Sequence, residues 1–149
     1  MRAVIQKVKN AAVSVDAEIV GKIEKGFLVF LGVEVGDCEA DEDYIASKIA
    51  GLRIFEDEND KMNLSIKDVG GEILSISQFT LLGDVRKGKR PGFTNAERPE
   101  IAKDIYLRIN DKLRKEGIKV AEGIFQADME VSLVNDGPVT ILLDSKKLF

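Results

Sequence analysis

The sequence has 149 residues, of which 22 are Lys or Arg and 26 are Asp or Glu, so its net charge is −4. This mildly acidic balance argues against tight, nonspecific nucleic-acid binding driven by overall charge. Because the chain has no histidine and one cysteine, it excludes histidine-based catalytic pairs, histidine metal ligands and an internal disulfide. The length fits one domain over residues 1–149. Polar residues near the N-terminus, the single Cys38 and the lack of an apolar run as long as a membrane span predict a cytoplasmic protein.

The first half of the chain changes from strand-like to helical periodicity. Apolar and polar residues alternate between Val4 and Ile23, which predicts strands with a hairpin turn at Asp16-Ala17-Glu18. The continuous apolar run from Phe27 to Val33 predicts a strand buried on both faces. Residues 37–53 then follow a helical period and begin with acidic residues, which the helix dipole favours. The predicted inner face of this helix contains Ile45, Ile49 and Leu52.

The second half begins with a strand over residues 72–79, after the turn at Gly70-Gly71. Residues 83–95 are irregular and rich in Gly, Pro and basic residues, which predicts a surface loop. Pro99 opens a helix that extends to about Glu116. Its apolar stripe consists of Ile101, Ile105, Ile109 and Leu113. Three further strands are predicted, at residues 118–125, 129–134 and 139–143.

The order of these elements is strands, helix, strands, helix, strands. Strands and helices do not alternate regularly, so a parallel, doubly wound sheet is disfavoured. We therefore predict an α+β fold, with mostly antiparallel β-sheets and two helices packed on one side.

Two short polar segments are candidates for chemistry. Ser77-Gln78-Phe79-Thr80 ends an apolar strand and supplies hydroxyl and amide groups, although a strand end satisfied by its own hydroxyl–backbone bonds would have the same composition. Asn135-Asp136-Gly137-Pro138 is typical of an ordinary hairpin turn. A Gly-Pro pair can also adopt a cis bond at a cost of about 0.5–1 kcal/mol and bring bare carbonyl groups close to a ligand.

Together, these segments resemble the signature segments of the D-aminoacyl-tRNA deacylases, also called the D-tyrosyl-tRNA deacylase family. The resemblance covers essentially the entire chain, and its strings occur in the order of that family. Besides the two segments above, it includes Met1 to Val8, Leu31-Gly32-Val33, Arg53-Ile54-Phe55, Lys61-Met62-Asn63-Leu64, Arg90-Pro91-Gly92-Phe93, residues 123–129 and residues 131–140.

This resemblance implies a barrel-like or sandwich α+β homodimer with its active sites at the subunit interface. The implied reaction is hydrolysis of the ester between a D-amino acid and the 3′-terminal adenosine of tRNA, without metal or cofactor. Glycyl-tRNA mischarged on tRNA-Ala is an implied second substrate, because glycine has no side chain to reject.

The resemblance also implies roles for individual residues. Ser77, Gln78, Phe79 and Thr80 would form the catalytic segment, with backbone N–H groups near Phe79 and Thr80 stabilising an oxyanion. Gly137-Pro138 would be cis, would enter the partner subunit's pocket and would exclude L-amino acids. The other residues implied in substrate binding and L-rejection are Asn135, Phe125, Met129 and Lys7.

Some roles remain open at this point. Either Thr80 or a ribose hydroxyl of the tRNA assists hydrolysis, and the lack of histidine favours the ribose hydroxyl. Lys7 stands where the family often has arginine, whose planar two-pronged contact lysine cannot make. The basic residues Arg86, Lys87, Lys89 and Arg90 are candidate contacts to the tRNA acceptor stem, the alternative being a solvated charged loop.

Two other functions fit the sequence. The lack of a titrating catalytic group also suits a non-catalytic RNA-binding module, in whose presence D-tyrosyl-tRNA would be stable. A serine or threonine hydrolase of small esters would instead cleave a D-amino-acid ester that lacks RNA.

Overall fold

The computed structural model describes residues 1–149. Its elements, in chain order, are β1 (Arg2–Val15), β2 (Glu18–Ile23), β3 (Gly26–Gly32), α1 (Glu39–Gly51), β4 (Phe55–Glu56), β5 (Met62–Leu64), β6 (Glu72–Ser77), a 3-10 turn (Phe79–Leu82), α2 (Pro99–Lys115), β7 (Lys119–Glu122) and β8 (Glu130–Asp144).

The long strand β1 organises the main sheet, because it pairs with β2, β3 and β8. The strand order is β2-β1-β3-β6-β7, with β8 attached to β1. All pairings of β1 are antiparallel, whereas β3 with β6 and β6 with β7 are parallel. A parallel pair needs a long crossover, and α1 and α2 lie in those two crossovers. The predicted α+β class with mostly antiparallel pairing is confirmed.

The sheet curls until its two ends meet, since β2 contacts β6 and β7. Gly21 permits this approach. A Cβ atom at Gly21 would lie 2.8 Å from the backbone oxygen of Glu122 and 3.1 Å from Leu74 Cδ1. The barrel-like core predicted from the sequence is therefore confirmed.

Two hydrophobic clusters fill the two sides of the curled sheet. The larger cluster lies between the sheet and the helices and includes Phe27, Val29 and Leu31 of β3. The smaller cluster lies inside the barrel and includes Leu28 of the same strand. Alternate residues of β3 thus enter different clusters, as expected for a strand buried on both faces.

Both helices pack against each other on one side of the sheet, as predicted. Ile45 and Ile49 of α1 and the last three residues of the α2 stripe are buried, whereas Ile101 in the first turn of α2 is 48% exposed. Glu42 of α1, which is 1% exposed, accepts a hydrogen bond of 2.6 Å from Arg108 of α2. Neither helix has the length and apolar character that a membrane span requires.

The C-terminal strand corrects one prediction. The predicted strands 129–134 and 139–143 are the two halves of β8 rather than a hairpin. Gln6 of β1 faces Thr140 and Val8 faces Asn135, so residues 136–139 bulge out opposite Lys7. We call residues 136–139 the Gly-Pro bulge. A turn did not form because both halves pair with the same long strand and continue in one direction.

Candidate active site

The end of β6 positions the first predicted catalytic segment. The backbone N–H of Gln78 donates to the Leu31 carbonyl oxygen over 2.7 Å, and this bond holds the end of β6 against β3. The chain then enters the 3-10 turn, whose first internal bond runs from the Leu81 N–H to the Gln78 carbonyl oxygen. The N–H groups of Phe79 and Thr80 precede this bond and therefore have no partner within the turn. β6 ends at Ser77, two residues earlier than the sequence predicts.

A cavity of about 710 Å³ opens beside this turn. Its volume lies within the range of about 300–1,000 Å³ that is typical of small-ligand sites. Five of the predicted site residues line it: Ser77, Gln78, Phe79, Phe125 and Met129. Residues that are far apart in the sequence therefore meet at one cavity.

Aromatic rings form two walls of the cavity. The Phe79 and Phe93 rings meet edge to face, with centroids 5.1 Å apart. The Phe125 ring lies 6.1 Å from that of buried Tyr106, whose hydroxyl donates to the Ser75 carbonyl oxygen over 2.8 Å. Burial raises the pKa of Tyr106 above its usual value of 10.0, so this hydroxyl keeps its proton and its hydrogen bond at neutral pH.

Sequence reasoning missed several cavity residues, including Phe93, Glu97, Arg98 and Asp128. Phe93 belongs to the string Arg90-Pro91-Gly92-Phe93 of the family resemblance, which was the available signal. Asp128 likewise belongs to the resemblance string of residues 123–129. Nothing in the local pattern marks Glu97 or Arg98, because they reach the cavity through the placement of α2.

Thr80 does not line the cavity. It is exposed, and its hydroxyl accepts a hydrogen bond from the Gln78 side-chain amide. An amide cannot accept a proton from a hydroxyl group at neutral pH. The Thr80 hydroxyl therefore has no base beside it.

The Gly-Pro bulge also lies outside the cavity of its own chain. The Gly137–Pro138 bond is cis, and both residues are exposed. The Asn135 side chain closes the bulge, because its oxygen accepts from the Val139 amide and its nitrogen donates to the Thr140 hydroxyl, each over 3.2 Å. The Asn135 hydrogen bonds therefore fix the conformation of the bulge, which is exposed at the surface of the chain.

Lys7 lies beneath this bulge and is 1% exposed. Its Nζ is 2.6 Å from Glu56 Oε1 and 4.0 Å from Asp136 Oδ2. The hydrogen bond from Lys7 lowers the pKa of Glu56 below its usual value of 4.5. Lys7 therefore lies close to two carboxylates and supports the bulge from β1, although it does not line the cavity.

The loop of residues 83–95, which we call the basic loop, is closed by reciprocal hydrogen bonds of 2.8 and 2.9 Å between the backbones of Asp84 and Gly92. Arg86 donates to both carboxylate oxygens of Asp84, and this lowers the Asp84 pKa to about 2. The predicted phosphate contacts Arg86, Lys87, Lys89 and Arg90 are all exposed and lie outside the cavity.

The family model described as D-Tyr-tRNA(Tyr) deacylase matches residues 4–144. The chain belongs to this family. The family and the enzyme class predicted from the sequence, an ester hydrolase acting on D-aminoacyl-tRNA, are therefore confirmed.

Individual relatives of the D-Tyr-tRNA(Tyr) deacylase family cover the full chain. The D-aminoacyl-tRNA deacylase of Koribacter versatilis (strain Ellin345) is 60% identical over 149 residues, and that of Clostridioides difficile (strain 630) is 58% identical, with 100% of both chains covered in each case. A solved structure of a c-Myc DNA Unwinding Element Binding Protein has 40% identity and a TM-score of 0.91, covering 97% of this chain and 98% of that chain.

Proposed function

We propose that this chain hydrolyses the ester bond between a D-amino acid and the 3′-terminal adenosine of tRNA, releasing free D-amino acid and tRNA. It thereby removes the wrong enantiomer from tRNA, and it also deacylates glycyl-tRNA mischarged on tRNA-Ala. The observation that carries the proposal is the cavity beside β6, where Ser77 and Gln78 adjoin aromatic walls at the start of the 3-10 turn.

The cavity walls suit the terminal adenosine. Phe79, Phe125 and Met129 present apolar surface to an adenine and a ribose. Stacking of a base on an aromatic ring contributes about 1–3 kcal/mol. With the nucleoside held in this way, the ester carbonyl lies toward the 3-10 turn, where the N–H groups of Phe79 and Thr80 stabilise the oxyanion, each by about 10²–10³ in rate.

Water is activated by the substrate rather than by Thr80. The Thr80 hydroxyl is outside the cavity, and its nearest partner, Gln78, is not a base. A ribose hydroxyl of the terminal adenosine lies next to the ester in every aminoacyl-tRNA. It takes part in proton transfer to and from the attacking water, and no covalent enzyme intermediate forms.

Chiral selection comes from a second copy of the chain. The Gly-Pro bulge is exposed and absent from its own cavity, so its carbonyl oxygens are available to a neighbouring subunit. The outer face of β8 carries Val134 and Leu142, which are 47% and 56% exposed, and β8 pairs with β1 alone. An apolar face beside an unpaired strand edge is typical of a subunit interface. From the partner, the bulge binds the substrate amino group and occupies the space that an L side chain needs.

The basic loop contacts the acceptor stem. Arg86, Lys87, Lys89 and Arg90 are exposed on a loop whose Phe93 forms part of the cavity wall. A tRNA whose 3′ end occupies the cavity therefore brings its phosphates close to these cations.

The test compares hydrolysis of D-tyrosyl-tRNA and L-tyrosyl-tRNA by purified protein without added metal. A rapid loss of the D-ester alone supports the proposal. In Gly137→Ala the new Cβ would lie 2.7 Å from Val139 Cγ2, at a φ of +125°, so the bulge must change shape. We expect the D-over-L ratio of kcat/KM to fall at least tenfold, which corresponds to about 1.4 kcal/mol.

Gly117→Ala is the matched control. Gly117 also has a positive φ, +84°, but a Cβ atom there would meet open space, and the residue lies after α2, outside the bulge. This variant should keep the full ratio. Equal ratios in the two variants would contradict the role of the bulge, and intact D-tyrosyl-tRNA in the presence of wild-type protein would contradict the proposed reaction.

A non-catalytic nucleic-acid-binding protein is the second candidate. The exposed basic loop favours it, as does the name of the 40%-identical DNA Unwinding Element Binding Protein. Such a protein would bind D-tyrosyl-tRNA and leave its ester intact, so the same assay separates the two functions.

A further inference from the structure

One cation stands among the residues of the cavity. Of the 17 residues that line it, Arg98 alone is positively charged, whereas Glu97 and Asp128 are acidic. The Arg98 side chain is exposed and has no ion pair within the protein, unlike Arg2, Arg86, Arg108 and Arg114, each of which has a carboxylate partner. An unpaired guanidinium at the edge of a ligand cavity is available to an anion that enters with the ligand.

The neighbouring carboxylate does not neutralise this cation. Glu97 Oε1 accepts from the backbone N–H of Arg98 over 2.8 Å, and Oε2 accepts from the Gly36 amide over 3.4 Å. Both oxygens of Glu97 therefore have backbone donors. The Arg98 side chain remains free, although an acid precedes it in sequence.

The ligand supplies a matching charge. In an aminoacyl-adenosine at the 3′ end of RNA, the permanent negative charge nearest to the cavity is the phosphate on the 5′ oxygen of the terminal nucleotide. Arginine binds phosphate through two parallel N–H···O bonds, a geometry that lysine reproduces only as a point charge.

We propose that Arg98 binds the 5′-phosphate of the terminal adenosine and so makes this cavity a nucleotide site rather than a nucleoside site. This inference rests on the proposed function, since that function places the adenosine in the cavity. Its consequence is a contact to the RNA backbone inside the active site, separate from the contacts of the basic loop.

The test measures binding of adenosine and of adenosine 5′-monophosphate by calorimetry at low salt. For the wild type we expect the monophosphate to bind about tenfold more tightly, as one charge-assisted contact provides. In Arg98→Gln the ratio of the two Kd values should fall to about one, and Arg98→Lys should keep an intermediate ratio. Lys103→Gln, which removes one exposed charge from the same helix, is the matched control and should keep the wild-type ratio.

Equal Kd values for the two ligands in the wild type, or an unchanged ratio in Arg98→Gln, would overturn the inference. Hydrolysis of D-tyrosyl-tRNA is followed in parallel. A protein that prefers the monophosphate through Arg98 but leaves D-tyrosyl-tRNA intact would contradict the proposed function and retain the phosphate site. Hydrolysis of D-tyrosyl-tRNA without a preference for the monophosphate would support the proposed function and contradict the phosphate site at Arg98.

Discussion

The segment from Ser77 to Thr80, at the end of β6 beside the cavity, supplies hydroxyl and amide groups rather than proton-exchanging groups. Ser77 and Gln78 line the cavity, and the exposed hydroxyl of Thr80 is engaged by the Gln78 amide. Neither an amide nor an aliphatic hydroxyl group titrates near neutral pH. The chemistry at this site therefore depends on where donors and substrate are held.

The first prediction concerns Thr80. Thr80→Val removes the hydroxyl and keeps the branched shape, and we expect kcat on D-tyrosyl-tRNA to remain within about threefold of wild type, because no base activates this hydroxyl. Thr80→Ser is the control that keeps a hydroxyl. Single-turnover hydrolysis is the measurement. A loss of about 10⁴-fold confined to the valine variant would show that Thr80 acts as a covalent nucleophile.

At this scale the sequence predicts only part of the site. Among the residues that line the cavity, Ser77, Gln78 and Phe79 were predicted because a polar segment follows an apolar strand. Phe125 and Met129 were predicted from the family resemblance. Arg98 had no such signal. Its proposed role depends on two features of the fold: it lines the cavity, and its side chain has no ion-pair partner. The pairing of a charge depends on residues distant in sequence, and a single sequence does not reveal them.

Among the elements, β8 shows how local pattern and tertiary structure compete. Asn135-Asp136-Gly137-Pro138 has the composition of a turn, yet the chain passes through it without reversing. The deciding fact is the 14-residue length of β1, which pairs with both halves of β8. Since a bulge and a turn share the same residue types, only the pairing partner distinguishes them.

The second prediction concerns the ion pair beneath the bulge. The folded-state pKa of Glu56 is below 4.5, so the pair with Lys7 contributes its full stability above that pH and loses it as the pH falls through the lowered pKa. Glu56 is 45% exposed, and we therefore expect Glu56→Gln to cost only about 0.5–1 kcal/mol at pH 7.

Urea unfolding of wild type and Glu56→Gln across the range from pH 7 to pH 3 measures this effect. The difference in the free energy of unfolding should shrink as the pH falls. Glu58→Gln, at an exposed position nearby, serves as the control and should differ little from wild type at any pH. A difference for Glu56→Gln that is constant with pH would rule out the ion pair as its cause.

The third prediction concerns the basic loop. Replacing Arg86, Lys87, Lys89 and Arg90 by Gln should raise KM for D-tyrosyl-tRNA and leave the preference for the D-enantiomer intact, because these residues lie outside the cavity. Each lost phosphate contact should reduce the slope of log affinity against log salt by about 0.7–0.9. Filter binding at several salt concentrations measures the slope, and an unchanged slope would identify a merely solvated loop.

For the whole molecule, the fold class, the mostly antiparallel pairing and the closure of the barrel were predictable, but the two parallel strand pairs were not. The alternation in β1 and β2 and the lack of a regular strand–helix repeat indicate an α+β fold, and the family resemblance indicates the barrel. The parallel pairing of β3 with β6 and of β6 with β7 depends on where α1 and α2 carry the chain. Local periodicity contains no information about that path.

The fourth prediction tests whether the bulge acts between subunits. One variant, Phe79→Ala with Phe125→Ala, has a damaged cavity and an intact bulge, and Gly137→Ala has the reverse. When Gly137→Ala is refolded with a ninefold excess of the cavity variant, nearly all of its intact cavities should receive an intact bulge from a partner.

The D-over-L ratio of the remaining activity should then rise most of the way to the wild-type value, because few Gly137→Ala chains still pair with each other and the weak cavity variant contributes little. Hydrolysis of matched D- and L-tyrosyl-tRNA gives this ratio before and after mixing. A ratio that stays at the value of Gly137→Ala alone would show that each chain uses its own bulge.

The bulge is flanked on both sides by residues already in register with β1, through Thr140 against Gln6 and Asn135 against Val8. The number of residues in the bulge can therefore change without shifting the strand register on either side of it. Segments of different length can be exchanged there while β8 keeps its register with β1. If the bulge selects the substrate as proposed, selectivity and fold can therefore change separately in this molecule. An engineer who grafts a new segment between Asn135 and Thr140 would then alter which esters are refused without redesigning the barrel.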